Sequence, residues 1–141
     1  KISASESTFN DCVFGSNATV REAANAHIRL GNSTTAVGQI EFNHCKVISC
    51  GANIGRGAIK TEDAASLGGW VLFRDCVFLN FTTNLKPAVG TVAILGATSN
   101  GMGIALHNCG CFGWIAWGAS NDQWMADNAA GAATGGIAAT L

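Results

Sequence analysis

Hydrophobic and polar residues alternate along this chain in short bursts at period two, and no long stripe at helical spacing interrupts them. Ala26-His27-Ile28-Arg29-Leu30 and Val37-Gly38-Gln39-Ile40-Glu41-Phe42 read as half-buried strands. Val47-Ile48-Ser49-Cys50, Ala58-Ile59-Lys60-Thr61 and Gly90-Thr91-Val92-Ala93-Ile94-Leu95 read the same way. Between them lie runs rich in Gly, Asn, Ser and Thr, the composition of turns and loops. Only Val20-Arg21-Glu22-Ala23-Ala24-Asn25 suggests a turn of helix. The pattern predicts an all-β protein.

One phrase occurs four times: Phe9-Asn10-Asp11-Cys12-Val13-Phe14, Phe42-Asn43-His44-Cys45-Lys46-Val47, Phe73-Arg74-Asp75-Cys76-Val77-Phe78 and Leu106-His107-Asn108-Cys109-Gly110-Cys111. The central cysteines stand at 12, 45, 76 and 109, in steps of 33, 31 and 33 residues. A fixed period of this size marks a stacked-repeat architecture. Three residues before each Cys is Phe9, Phe42, Phe73 or Leu106; two residues after it is Phe14, Val47, Phe78 or Cys111. Two inward positions at odd spacing require a bend between them, because a strand alternates faces at period two. The bend falls at Asp11, His44, Asp75 and Asn108, residue types that tolerate a left-handed backbone. Parallel stacking at ~4.8 Å then sets Phe on Phe and Cys on Cys.

These four phrases resemble the right-handed parallel β-helix family, the architecture of pectate-lyase-like folds and many phage tailspikes. The resemblance covers about residues 7–118 and rests on Asn- or Asp-type bends before a Cys with an aromatic two places on. It implies a short right-handed parallel β-helix of three to four coils, with a repeat of ~32 residues and loop insertions. Those families usually have more coils, and shorter ones. The solenoid domain is expected over 1–127, followed by an extended Ala/Gly-rich tail over 128–141 that orders only against a partner surface.

Candidate chemistry is sparse. The bend ladder brings Asp11, His44 and Asp75 into one column, an imidazole between two carboxylates, with Arg74 and His107 one position earlier. Acid/base cleavage of a polysaccharide needs carboxylates at a fixed separation on one face, and this column is where such an enzyme would carry them. The competing reading is that these are bend residues chosen for backbone conformation, and it is preferred. Glu62 and Asp63 sit in a loop, where solvated charge is the default. The six cysteines have no zinc-type paired spacing and read as buried thiols used as small apolar filler. No cofactor or metal is expected. Trp114, Trp117 and Trp124 crowd the last repeat, as a sugar-stacking platform or, preferred, as a cap or subunit contact, with Ile137 and Leu141 as further contact candidates.

Composition narrows the partners. Charged residues are 12% of the chain, against roughly 25% in an average soluble protein, so much of the surface is expected to be covered. The net charge is -1, and after Lys86 the chain has no Lys or Arg. Neither nucleic acid nor an acidic membrane finds a footprint there. No run approaches the roughly 20 apolar residues of a membrane helix, and no charged-then-apolar leader opens the chain.

A short solenoid with two open ends and little charge points to assembly. By resemblance, the expected function is a non-catalytic virion component: a phage capsid decoration (cement) protein that self-associates, with a trimer favoured, and docks on a major capsid or other virion protein, in a virion assembled in the host cytoplasm. A fragment of a tailspike or other polysaccharide-degrading β-helix is the alternative. A carbohydrate-binding module with a glycan ligand is the third reading.

Overall fold

The computed structural model describes residues 6–16, 26–30, 38–50, 57–61, 69–81, 90–92, 94–95, 103–117, 124–127 and 137–138. The expected helical turn at 20–25, the acidic loop at Glu62 and Asp63, and Leu141 lie outside these residues.

Each copy of the repeated phrase forms two strands with the bend between them. The strands before the bend are β1 (Glu6–Asn10), β4 (Gln39–Asn43), β7 (Val71–Arg74) and β11 (Ile104–His107). Those after it are β2 (Val13–Gly15), β5 (Lys46–Cys50), β8 (Val77–Phe81) and β12 (Gly110–Phe112). Three short elements, β3 (Ile28–Leu30), β6 (Ile59–Thr61) and β10 (Ile94–Leu95), pair with one another. A fourth sheet joins β9 (Gly90–Val92) to β13 (Trp114–Ala116). All pairings among the described residues are parallel.

The register follows the repeat. Phe9 pairs with Phe42, Phe42 with Phe73, and Phe73 with Leu106. After the bend, Phe14 pairs with Val47, Val47 with Phe78, and Phe78 with Cys111. The bend itself is repeated as well. Asp11, His44 and Asp75 share φ 54° and Asn108 has φ 51°, the left-handed conformation that short polar side chains accept. At each bend the backbone still bonds to its neighbour: Asp11 N–H donates to Asn43 O at 3.0 Å, His44 to Arg74 at 2.9 Å and Asp75 to His107 at 3.0 Å.

The cysteine after each bend has a physical reason to be there. Cys45 Sγ lies 3.3 Å from Asn43 O, Cys76 Sγ 3.3 Å from Arg74 O and Cys109 Sγ 3.3 Å from His107 O. Each also reaches a carbonyl of the preceding copy: Phe9, Phe42 and Phe73 respectively. A thiol is small enough for the crowded bend and offers its S–H, a weak donor, to the second lone pair of carbonyls that already accept a ladder bond. All six cysteines are free thiols. Burial pushes the Cys45 thiol up from its ordinary value and Cys111 up to about 12. The hydrogen bond with Cys109 and then burial push Cys76 up as well. These thiols are chemically quiet at neutral pH.

The core is continuous from copy to copy. Phe42, Phe73, Phe78, Val47, Leu106 and Cys111 are buried, joined by Ile28, Ile59 and Ile94 from the shorter strands. The Phe9 and Phe42 rings stack at 4.9 Å and 11°, and Phe42 and Phe73 at 4.5 Å and 6°. Phe78 meets Phe73 edge-on at 5.5 Å and Trp117 edge-on at 5.4 Å. Such contacts add about 0.5–1.5 kcal/mol each beyond area burial.

Two features lie beyond the four phrases. β14 (Trp124–Asp127) pairs with β11, and β15 (Ile137–Ala138) pairs with β14, so the largest sheet has six strands in the order β1-β4-β7-β11-β14-β15. Met125 pairs with Ile137 and Ala126 with Ala138 of the same chain.

Candidate functional site

The bend column is the first place to look for chemistry. His44 Nε2 lies 3.6 Å from Asp75 Oδ2, and Asn108 Nδ2 donates to Asp75 Oδ1. Asp75 therefore has a partner at each carboxylate oxygen. Asp11 forms no ion pair with His44 among the described residues, so the expected carboxylate–imidazole–carboxylate column is reduced to a His44–Asp75 contact. At 3.6 Å that contact is longer than a hydrogen bond. The His44 side chain is 61% exposed and that of Asp75 33%, so water screens both. Arg74 is exposed and aligned with Asn43 and His107 on the neighbouring strands. One rung earlier, Asn43 Nδ2 donates to Asn10 Oδ1 at 3.0 Å. Along this outer face of polar residues, two steps are bonded from copy to copy: Asn10 to Asn43 and Asp75 to Asn108.

Trp114 and Trp117 are buried, so neither offers an open face. Trp114 is 5% exposed and Trp117 2%, and both belong to the core cluster. Trp117 closes the aromatic row over Phe78, and its carbonyl accepts from Ile94 N–H at 2.7 Å. The chain's own strands cover these two side chains at the end of the aromatic row. Trp124 and Ile137 sit in β14 and β15. The apolar side chains that are exposed lie elsewhere, at Val13 (60%), Phe112 (52%) and Ile115 (58%).

A shallow groove of about 170 Å³ runs over the outer face of β1 and β4, lined by Glu6, Ser7, Thr8, Gln39, Glu41 and Trp70. It is smaller than the roughly 300–1,000 Å³ of a ligand pocket. Glu6 and Glu41 did not emerge from the sequence as candidates. Their signal was present: the register sets Glu6 beside Gln39 and Thr8 beside Glu41, and aligning the repeats six and four residues before each Cys brings those positions together. Among the described residues no group of three or more His, Cys, Asp or Glu side chains is placed to hold a metal ion.

The fold and this surface define an all-β protein of parallel sheets built on a repeated strand–bend–strand unit. No protein-family model, curated protein or solved structure matches the chain.

Proposed function

We propose that the chain is a non-catalytic structural module: a short right-handed parallel β-helix, whose sheets are the faces of a closed coil, that associates with copies of itself and docks on a larger shell. The observation that carries this reading is how the candidate chemistry is used. Asp11, His44, Asp75 and Asn108 occupy left-handed bends, and Asp75 is held by its neighbours in the column. An acid/base pair needs a group held within reach of substrate in a site that excludes water. Open bends on a screened surface support scaffold work instead. Low charge and exposed Val13, Phe112 and Ile115 favour covered surfaces in the working assembly. A capsid decoration protein, in a virion, is the setting that combines these properties.

Carbohydrate binding is the second reading, favoured by one observation: Trp70 and two carboxylates, Glu6 and Glu41, share a groove. One experiment separates the readings. Light scattering of the purified chain gives its molar mass, and the same sample is incubated with a panel of acidic and neutral polysaccharides. A mass above that of one chain, with no glycan bound or cleaved, is the expected result. Cleavage abolished by Asp75→Asn overturns it in favour of an enzyme, and glycan binding lost in Glu41→Gln overturns it in favour of a binding module.

A further inference from the structure

The two strands of the repeated unit present outer faces of opposite chemistry. Along β1, β4, β7 and β11 the outward positions carry Glu6, Glu41, Asn43, Arg74 and His107. Along β2, β5, β8 and β12 they form two columns, Val13–Lys46–Val77–Gly110 and Gly15–Ile48–Leu79–Phe112. Lys46 is the one charged residue in those columns. Phe112 is 52% exposed, Val13 more so, and Ile48, Val77 and Leu79 are half-buried, while Val47, Phe78 and Cys111 between them belong to the core. Strands of a parallel sheet that are apolar on both sides, as Val77-Phe78-Leu79 is, are ordinarily covered on both faces. This face runs across all four repeats and does not depend on where the stack begins or ends.

The face is graded along the stack. Gly15, Ile48, Leu79 and Phe112 increase in size from the first repeat to the fourth. The Phe112 ring leans over Gly110, where an added Cβ would come within 2.8 Å of it. The fourth repeat therefore presents one aromatic surface across both columns, and the first presents Val13 beside a bare Gly15. Charge is graded too. Lys46 follows the bend of the second repeat, and the bend of the third is Asp75.

We infer that this apolar face is a self-association site whose occupant is the same face of a second chain. The two-fold axis lies between the paired sheets, along the strands and midway between β5 and β8. This inference rests on the self-association reading above and names its contact. The axis sets β2 opposite β12 of the second chain and β5 opposite β8, at the ~10 Å spacing of packed sheets. The Phe112 ring then meets Val13 and the bare Gly15, so the bulk at one end fills the space at the other. Ile48 meets Leu79. Lys46 comes opposite Val77 and beside Asp75, the bend residue two positions earlier, so each chain gives a cation to the other's carboxylate. Two such pairs flank the apolar centre and fix the register, as charges at an interface rim do. Sliding the chains by one repeat in one direction sets Lys46 against Lys46. Sliding them the other way sets Lys46 beside Asn108 instead of Asp75. An isologous contact of this kind closes on itself as a dimer. The face is small, so the pair is expected to come apart on dilution.

The test is the molar mass of the full chain by light scattering across a dilution series, for the parent and for Phe112→Asp, Lys46→Glu and Lys60→Glu. Phe112 and Lys46 are exposed, so neither change opens the described core, and circular dichroism checks that each variant folds. Lys60 lies on β6, away from this face, and makes the same charge change as a control. The parent is expected at twice the 14.4 kDa chain mass, falling to one chain on dilution, with Lys60→Glu following it. Phe112→Asp buries a charge against Val13, and Lys46→Glu sets a carboxylate beside Asp75 of the second chain. Each should raise the dissociation constant at least tenfold. A parent that is monomeric up to its solubility limit overturns both this inference and the self-association reading, and leaves the face to a different protein. A parent mass of three chains or more overturns the two-fold contact alone. So does a folded Phe112→Asp or Lys46→Glu that pairs as the parent does.

Discussion

Truncating Phe73 to alanine is expected to destabilise the chain by roughly 3–5 kcal/mol, the range for buried aromatics. Phe73 is fully buried in the third copy of the repeat. Its ring stacks on Phe42 at 4.5 Å and meets Phe78 at 5.5 Å, so its removal opens the row where it has neighbours on both sides. The parallel strands on either side are fixed by their own hydrogen bonds to Phe42 and Leu106 and cannot collapse into the space. Phe9, the same position in the first copy, is only partly buried, and its truncation should cost clearly less. Urea titration of both variants checks the order, and a loss below about 1 kcal/mol at Phe73 would show that the row is not the core.

The second large effect concerns backbone. Asp75 has φ 54°, where a β-branched residue is strained. Asp75→Val should cost about 2–3 kcal/mol, from roughly 1–2 for the left-handed conformation and the remainder from the lost hydrogen bond of Asn108. Asp75→Gly loses the same bond but removes the strain, and should stay within about 1 kcal/mol of the parent. If Val and Gly cost the same, the side chain's contacts matter and the bend does not.

The repeat carried most of the fold in the sequence. Phe9, Phe42, Phe73 and Leu106 announce their register because each stands three residues before a Cys, and the odd spacing to the next apolar position announces the bend. What the phrases did not carry is the rest of the large sheet. β14 pairs with β11 through Trp124-Met125-Ala126-Asp127, a strand with neither the bend nor the Cys that marks the other copies. The tryptophans are only partly legible. Sequence crowding at 114 and 117 is compatible with a surface cluster or a cap, and only the closure of Trp117 over Phe78 distinguishes them. The groove pair Glu6 and Glu41 is hidden because the repeat's signal is carried by its core residues, while these two occupy the outer positions of the same strands.

The central claim is that copies of one strand–bend–strand unit stack in register through parallel backbone bonds. Through-hydrogen-bond scalar coupling, measured by NMR between an amide nitrogen and the carbonyl carbon that accepts its proton, observes those bonds one at a time. The expected correlations run from Asp11 N to the Asn43 carbonyl, from His44 N to that of Arg74 and from Asp75 N to that of His107. Correlations from these three amides to carbonyls at other steps along the chain would contradict the stacking register.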